Sequence, residues 1–242
     1  MSLLDIQDIS KSFGGLQALQ GINFSVESGE IVGIMGANGA GKTTLFSLIA
    51  GHSRPNQGKM ILSGQSLSGL KPNSVCRLGI ARTFQIVRPF RNLTVFENVL
   101  TAVRFGRDHR KSKSEAETRT RQVLGEIGLD DRADQTAGTL TLSGQKRLEV
   151  AKALASNPNL LMLDEVMAGL TPSEVKDMLA VIRRLKDSYD LTILIIEHVM
   201  QALMDLSDRI IVLHHGELIA EGTPSEVAKD PQVLEAYIGG HA

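Results

Sequence analysis

The sequence predicts an α/β protein with a mostly parallel sheet, an N-terminal antiparallel β-subdomain and an inserted α-helical subdomain. Three observations lead to this fold class. Residues 3–27 alternate as half-buried strands do, residues 94–157 carry helical spacing only, and apolar strands alternate with helices elsewhere.

The N-terminal part begins with strands. LLDIQDISKSF and ALQGINFSVESGE alternate on either side of Gly14 and Gly15, which predicts an antiparallel pair between Leu3 and Glu27. EIVGIM is continuously apolar, as in a parallel strand covered on both faces, and leads directly into a glycine loop and the helical pattern KTTLFSLIAGH. KMILSG and GIARTFQ predict further strands, with a short helix between them.

The middle and end of the chain differ in pattern. Helices are predicted at TVFENVLTAVRF, SEAETRTRQVLGEIGL and QKRLEVAKALAS. After Pro158 come NLLMLDE, a helix from Pro172 to Lys186, LTILIIEH, a short helix near Gln201 and the hairpin RIIVLHHGELIAEG. Such alternation implies parallel strands joined by right-handed crossovers.

Composition narrows the functional class. The chain has 242 residues, of which 42% are hydrophobic, as in ordinary globular proteins. Because its net charge is only -1, it has no overall electrostatic field that would attract nucleic acid or acidic lipid. The charged stretch RFGRDHRKSKSEAETRTR mixes acidic with basic residues, which favours a solvated helix and connector. The single cysteine, Cys76, allows no intrachain disulfide. The longest aliphatic run, LTILII, is too short to span a bilayer, and the N-terminus lacks a secretion-signal pattern.

A phosphate-binding loop follows the first apolar strand. GANGAGKTT is complete: its glycines turn backbone N–H groups towards a phosphate, Lys42 reaches the outer phosphates and the Thr43 hydroxyl binds Mg2+. Strand, loop and helix follow in the order that a phosphate-binding loop requires, so the predicted fold class is a P-loop NTPase core. The candidate nucleotide-binding residues of the loop are Gly36, Asn38, Gly39, Ala40, Gly41, Lys42, Thr43 and Thr44.

The segment LLMLDE supplies carboxylates. Asp164 ends an apolar strand, where ligands gather in parallel sheets, and is the predicted second Mg2+ ligand. Glu165 follows, and side chains alternate along a strand, so Glu165 is expected to face an attacking water from another angle, as a general base or as the group that orients the water. A solvated strand end is the alternative for the Asp-Glu pair.

Three further residues are candidates by position. Gln85 closes GIARTFQ and His198 closes LTILIIEH, which predicts both at one rim of the sheet. Gln85 is a candidate for catalysis and for Mg2+ binding; a neutral His198 could donate to a terminal phosphate or support Glu165, and backbone partners are the alternative for both. Phe13 either stacks on adenine or is a buried strand aromatic.

A second anion-binding helix start lies about a hundred residues after the first. LTLSGQKRLEVAKAL places Thr141, Ser143, Gly144 and Gln145 before a helical pattern, where backbone N–H groups favour an anion. One chain would then carry two phosphate-seeking sites.

The order of these elements resembles the ATP-binding cassette (ABC) ATPase subunits of transporters, over essentially the whole chain. The resemblance implies that two subunits pair head to tail and that the signature segment of one, Thr141 to Gln145, covers the ATP held by the phosphate loop of the other. It implies a nucleotide-binding core of residues 1–86 and 158–242 with an inserted helical subdomain of residues 87–157. It also implies a peripheral position at the cytoplasmic face of the membrane, ATP and Mg2+ as ligands, and membrane permease subunits as partners.

The chain departs from the family pattern in places. The usual signature, leucine-serine-glycine-glycine-glutamine, matches here either as LSGQ with one glycine missing or, without a gap, as LTLSG. In the ungapped match Thr141 replaces the serine and Ser143 replaces a glycine, so either hydroxyl could meet phosphate. Val166 replaces a common proline, and Thr171 replaces an acidic or amide residue.

Three segments are similar in sequence to the subunits that energise bacterial uptake of branched-chain and related amino acids. They are GIARTFQIVRPFRNLTVFENV, RLEVAKALASNPNLLMLDEVMAGLTPSE and GTPSEVAKDPQVLEAYIG. This implies a periplasmic binding protein as an indirect partner and either a homodimer or a dimer with a sister ATPase. The corresponding subunits of systems for urea import or lipopolysaccharide extraction share much of this sequence. A nucleotide-binding regulator with weak hydrolysis is a further alternative. A cassette acting on DNA or ribosomes ranks last, because the chain has one cassette and no basic surplus.

A docking surface for a membrane subunit is predicted after Gln85. The segment IVRPFRNLTVFENV places apolar residues beside two arginines, although these residues could instead fill a core. The residues are Val87, Arg88, Pro89, Phe90, Arg91, Leu93, Val95 and Phe96.

Overall fold

The computed structural model of the chain describes residues 2–108 and 112–238. These residues form two units: the first takes in 2–75 and 192–238, and the second takes in 76–108 and 112–191. The phosphate loop and His198 belong to the first unit. Gln85, the carboxylates of LLMLDE and the signature segment belong to the second.

The strands in chain order are β1 (Ser2–Phe13), β2 (Leu16–Glu27), β3 (Ile31–Met35), β4 (Gln57–Leu62), β5 (Gln65–Ser66), β6 (Ile80–Arg82), β7 (Leu160–Asp164), β8 (Thr192–Ile196), β9 (Arg209–His214) and β10 (Glu217–Gly222). The helices are α1 (Lys42–Ile49), α2 (Pro72–Leu78), α3 (Val95–Phe105), α4 (Lys113–Ile127), α5 (Leu142–Ala155), α6 (Pro172–Tyr189), α7 (Met200–Leu206), α8 (Pro224–Val227) and α9 (Pro231–Ile238).

The N-terminal strands of the first unit form an antiparallel sheet in the order β2-β1-β4-β5. The predicted pair β1 and β2 is confirmed, with Gly14 in the left-handed region at the turn (φ 57°). Leu4 and Ile6 of β1 are buried in alternation, and a register shift between Ile6 and Ile9 places Ile9 among the buried residues as well. The two-residue strand β5 is too short to leave a periodic signal in the sequence.

The other strands of the first unit lie in the order β10-β9-β3-β8. All residues of β3 are buried, and β3 runs parallel to both β8 and β9. Ile34 lies opposite Ile196 on one side and Ile211 on the other. The three strands therefore end at the same edge, and the phosphate loop begins at that edge.

The second unit contains the predicted helices and a parallel pair of strands, β6 and β7. Capping boxes set the starts of α3, at Thr94 and Glu97, and of α4, at Ser112 and Glu115. Residues 109–111 of the charged connector predicted before α4 lie outside the described residues.

The boundaries of the two units, after residues 75 and 191, differ from the predicted domain boundaries after residues 86 and 157. β6 and β7 fall with the helical segment because the backbone N–H of Thr83 donates to Met162 across the pair and Lys146 of α5 donates to Glu165 after β7. The assignment of 1–86 and 158–242 to a nucleotide-binding core, and of 87–157 to an inserted subdomain, stays a prediction.

No helix within residues 2–108 and 112–238 is both long and apolar enough to cross a membrane.

Arg209 of β9 ties distant parts of the first unit together. Its guanidinium donates to Glu30 at 2.7 Å and to the carbonyl of Ser25 at 2.6 Å, and it also pairs with Glu221. Burial raises the pKa of Glu30, but bonds from Arg209 and from the backbone N–H of Glu27 outweigh it, so the pKa lies below its ordinary value. The charged form of Glu30 is thus stabilised by folding.

Glu30→Gln is expected to lower the free energy of unfolding at neutral pH by about 1.5–3 kcal/mol, the usual contribution of a charge-assisted hydrogen bond. Because the folded-state pKa is lowered, this contribution is present above the ordinary value of 4.5 and is lost as the pH falls through the lowered pKa. Urea unfolding at several pH values measures it, with Glu217→Gln on an exposed position as the control. A deficit that is independent of pH would contradict the prediction.

Candidate functional site

The phosphate loop occupies residues 36–41, between the end of β3 at Met35 and the start of α1 at Lys42. β3 is buried on both faces, so its polar continuation is placed at the edge of the sheet, where the strand stops. Since α1 begins immediately afterwards, its first backbone N–H groups point towards the loop. This arrangement provides donors for an anion.

Two glycines of the loop lie where no larger residue fits. A Cβ at Gly36 would be 2.4 Å from the carbonyl oxygen of Leu213. Gly41 has φ 105°, and a Cβ there would be 2.6 Å from Leu19 and 2.7 Å from the carbonyl oxygen of Ala18. The loop therefore keeps its shape because its backbone packs directly against β2 and β9.

Lys42, the first residue of α1, contacts this loop through its side chain. Its side chain is 6% exposed, and its Nζ donates to the carbonyl oxygens of Gly36 at 2.6 Å and Ala37 at 3.0 Å. Thr43 is exposed at the first turn of α1, and Thr44 is partly buried. Asn38 and Gly39 are exposed at the tip, and Ala40 is buried. The predicted loop residues are thus together at one helix start.

A turn that sequence reasoning missed supports the loop from behind. The backbone N–H of Gly216, between β9 and β10, donates to the carbonyl of Ala40 at 3.1 Å, and Gln20 donates to the carbonyl of Gly216 at 2.8 Å. Gly216 has φ 83°, and a Cβ would be 2.9 Å from the carbonyl oxygen of Ala18. Its sequence signal was an ordinary hairpin glycine in HHG, which says nothing about a neighbour so distant in the chain.

The remaining candidates of the first unit lie at its surface. His198 is exposed and follows the end of β8 by two residues, at the same edge as the phosphate loop. Phe13, at the end of β1, is 52% exposed, so the alternative of a buried strand aromatic is wrong. The Nζ of Lys11 lies 4.8 Å from the centroid of the Phe13 ring.

In the second unit, Asp164 ends β7 and is 1% exposed. Its Oδ2 accepts from the guanidinium of Arg82 at 2.6 Å, and its backbone N–H donates to Thr83 Oγ1 at 2.9 Å. Its Oδ1 is buried and has no hydrogen-bond partner among the described residues. Because buried carboxylate oxygens are normally satisfied, this atom fits a role as a metal ligand. No local sequence pattern predicts the hydrogen bonds of Asp164 with Arg82 and Thr83.

Glu165 leaves the strand in a way that the sequence did not predict. Alternation along a strand was expected to separate it from Asp164, but β7 ends at Asp164 and Glu165 has φ 51°. The left-handed backbone, uncommon for a residue with a side chain, sets the direction of the carboxylate. Glu165 is 7% exposed, and its Oε2 accepts from Gln85 Nε2 at 2.8 Å.

Gln85 does not close a strand, contrary to the prediction. β6 ends at Arg82, and the last backbone hydrogen bond to β7 runs from the N–H of Thr83 to the carbonyl of Met162. Gln85 is exposed in the following loop, and its amide nitrogen rather than its oxygen contacts Glu165. A third residue joins the two: Lys146 of α5 donates to the carbonyl oxygens of Glu165 at 2.7 Å and Gln85 at 3.2 Å.

The signature segment forms the start of α5. Thr141 is the N-cap, and its Oγ1 accepts from the backbone N–H of Gly144 at 3.2 Å. A hydroxyl that accepts in this way can still donate its proton to another group. Gln145 donates to the carbonyl of Leu140 at 2.9 Å, and Ser143 is partly exposed in the first turn. The departure at Thr171 has a local reason, since Thr171 caps α6 through Glu174.

The predicted docking segment is only partly at the surface. Ile86 is 71% exposed, Phe90 53% and Leu93 36%, but Val95 is fully buried at the start of α3. Buried Asn98 accepts from the backbone N–H of Phe90 at 2.8 Å and donates to its carbonyl at 3.1 Å. The exposed ring of Phe90 is therefore carried on a fixed backbone.

Residues 2–108 and 112–238 contain no group of three or more His, Cys, Asp and Glu side chains that could hold a metal ion. The metal-ligand candidates Thr43, Gln85 and Asp164 are a hydroxyl, an amide and a carboxylate. Such hard oxygen donors suit Mg2+, which is often held by one or two protein side chains and by substrate phosphates.

Known proteins that are similar to this chain are named as ATP-binding proteins. A family model described as ABC transporter matches residues 19–168, and one described as branched-chain amino acid ATP-binding cassette transporter matches residues 217–242. The high-affinity branched-chain amino acid transport ATP-binding protein LivG of Escherichia coli (strain K12) is 40% identical, with 98% of each chain covered. BraF of Pseudomonas aeruginosa, described in the same words, is 38% identical with the same coverage. The lipopolysaccharide export system ATP-binding protein LptB of Haemophilus influenzae is 33% identical, covering 99% of this chain and 98% of LptB.

Solved structures show the same fold. The ADP conformation of an ATP-binding cassette of an ABC transporter superposes with a TM-score of 0.87 at 31% identity, with 99% of each chain covered. A nucleotide-free cassette has a TM-score of 0.88 at 31% identity, covering 99% of this chain and 100% of that one. These likenesses confirm the predicted P-loop NTPase fold class. With a family model matching more than half of its length and relatives similar from end to end, this chain belongs to the ABC transporter family and is an ABC ATPase.

Proposed function

We propose that this chain hydrolyses ATP to power a membrane importer of branched-chain or related amino acids. The observation that carries the ATPase part is the phosphate loop, where Gly36 and Gly41 have no room for a side chain and Lys42 lies buried at the helix start. Such a loop offers backbone N–H groups and one ammonium to a triphosphate.

The candidate site residues of the first unit have distinct roles in this function. Lys42 Nζ, which is held beside the loop carbonyls, donates to the outer phosphates. The backbone N–H groups of residues 39–44 surround them, and the exposed ring of Phe13 stacks on adenine. His198 donates to the terminal phosphate from the loop after β8.

The second unit supplies the residues that act on water and metal. Thr43, Asp164 and Gln85 are the candidate side chains that would hold Mg2+, and Asp164 Oδ1 is the atom suited to it. Mg2+, when bound, supplies charge neutralisation at the phosphate oxygens. Glu165 accepts a proton from the attacking water, and Gln85 orients its carboxylate by donating to Oε2.

ATP is bound between two head-to-tail subunits in this proposal. The signature residues Thr141, Ser143, Gly144 and Gln145 form a capped helix start, which favours an anion. Thr141 can donate its hydroxyl proton outwards while its oxygen caps the helix. The second phosphate-seeking site of the chain therefore serves the nucleotide of the other subunit, whether an identical chain or a sister ATPase.

The partners and location follow from the transport role. We place the chain peripherally at the cytoplasmic face of the membrane, bound to integral permease subunits and acting indirectly with a periplasmic binding protein. The relatives LivG and BraF are named for branched-chain amino acid transport and are 40% and 38% identical to this chain. The relative named for lipopolysaccharide export, at 33%, is less similar. This order favours amino acids as the cargo.

Lys42→Ala is expected to weaken ATP binding by about tenfold or more, because a charge-assisted hydrogen bond contributes about 1.5–3 kcal/mol. Isothermal titration with ATP and Mg2+ measures the affinity. Lys71→Ala, at an exposed position before α2, is the matched control. Equal affinities of the Lys42 variant and the control would contradict the role given to Lys42.

Glu165→Gln is expected to slow phosphate release by about a hundredfold or more with ATP affinity retained, as loss of a general base does. Steady-state phosphate release gives the rate, and nucleotide titration gives the affinity. Near-normal turnover in the variant would remove Glu165 as the base. If the unmodified chain with its permeases releases no phosphate, the alternative of a nucleotide-binding regulator holds instead.

Phe90→Ala is expected to reduce coupled transport at least about fivefold with basal hydrolysis within about twofold of normal. The exposed ring is an aromatic anchor for a permease, and the change leaves the backbone bonds to Asn98 in place. Uptake in reconstituted vesicles is compared with hydrolysis by the isolated subunit. Phe105→Ala, an exposed aromatic at the end of α3, is the control. Equal transport by the two variants would argue against docking at Phe90.

A further inference from the structure

Lys146 is a buried cation whose acceptors are unusual. It lies on α5, directly after the signature segment, and is 4% exposed. Its Nζ donates to the backbone carbonyl of Glu165 at 2.7 Å and to that of Gln85 at 3.2 Å. Placing an ammonium in the interior is costly unless its donors are satisfied, so these bonds fix where it lies.

Three hydrogen bonds link Lys146, Gln85 and Glu165 to one another. Lys146 holds both backbones, and the Gln85 side chain holds the Glu165 carboxylate at 2.8 Å. Each of the two held residues needs such support. Gln85 lies in a loop beyond the end of β6, and Glu165 has a left-handed backbone that costs of order 1–3 kcal/mol.

We propose that Lys146 is a positioning residue for hydrolysis: its ammonium fixes the peptides of Gln85 and Glu165 so that the Glu165 carboxylate points at the attacking water. The inference rests on the proposed role of Glu165 as the general base. Because α5 also begins with the signature segment, one helix carries both the segment offered to the other subunit and the support of this subunit's own base.

The Lys146 ammonium is expected to affect the rate of hydrolysis through the position of the Glu165 carboxylate. A base displaced by about 1 Å can lose about a hundredfold in rate. The carbonyl acceptors of Lys146 belong to Gln85 and Glu165, which are proposed to act on hydrolysis rather than on ATP binding. Its loss is therefore expected to lower kcat and to leave the KM for ATP nearly unchanged.

The test compares Lys146→Met, which keeps the length of the side chain and removes the donors, with Lys146→Arg, which restores a cationic donor. We expect kcat to fall 10- to 100-fold in Lys146→Met, with KM within about threefold, and to recover to within about fivefold of normal in Lys146→Arg. Lys146→Gln provides a second neutral variant if Lys146→Met does not fold. Lys152→Met is the matched control, because Lys152 lies on the same helix and bonds to Glu149 and the carbonyl of Arg88.

A double-mutant cycle separates positioning from a general loosening of the fold. If Lys146 acts through Glu165, adding Lys146→Met to Glu165→Gln lowers the residual turnover by less than about threefold. Losses that multiply, a change confined to KM, or a kcat in Lys146→Met equal to that of Lys152→Met would each overturn the inference.

The cycle also separates this inference from the proposed function. If Glu165→Gln alone leaves turnover normal, the role of Glu165 as base fails and the inference about Lys146 fails with it. If Glu165→Gln is inactive and Lys146→Met is fully active, the proposed function stands and only the inference about Lys146 is wrong.

Discussion

The close approach of backbone to backbone at the phosphate loop is the constraint on which the first unit depends. Gly36 meets the carbonyl of Leu213, and Gly41 meets the carbonyl of Ala18. The loop is thus enclosed by β2 on one side and by β9 on the other, and Gly216 adds a hydrogen bond to Ala40. A loop held in this way keeps its N–H groups oriented without a ligand to organise them, which lowers the cost of binding an anion.

Buried charge is handled by pairing in the second unit. Asp164, Glu165 and Lys146 are all nearly inaccessible to solvent, and each accepts or donates hydrogen bonds to a residue remote in the sequence. Removing such groups from water is costly, so their partners determine where they lie. The exception, Asp164 Oδ1, is an acceptor without a partner among the described residues, and it is the atom best suited to a cation.

The signature segment shows how one local structure can serve two purposes. Thr141 caps α5 and so satisfies a backbone N–H that a helix start would otherwise expose. The same hydroxyl retains a proton to donate, and the helix start favours negative charge. The substitutions from the usual family pattern therefore keep a capped, anion-favouring helix start.

The sequence by itself determined the elements and most of the candidate residues. Periodicity predicted the strands and helices, and the spacing in GANGAGKTT and LLMLDE identified Lys42, Thr43, Asp164 and Glu165, because these signals lie within a few residues of one another. Only the tertiary structure decided which groups pair: Arg82 with Asp164, Gln85 with Glu165, Gly216 with Ala40 and Lys146 with two backbones. It also decided that β6 stops before Gln85, that Glu165 turns through a left-handed backbone and that Val95 is buried. The physical reason is range: local patterns record the conformational preference of neighbouring residues, whereas a hydrogen bond between residues 19 or more positions apart leaves no trace in either neighbourhood.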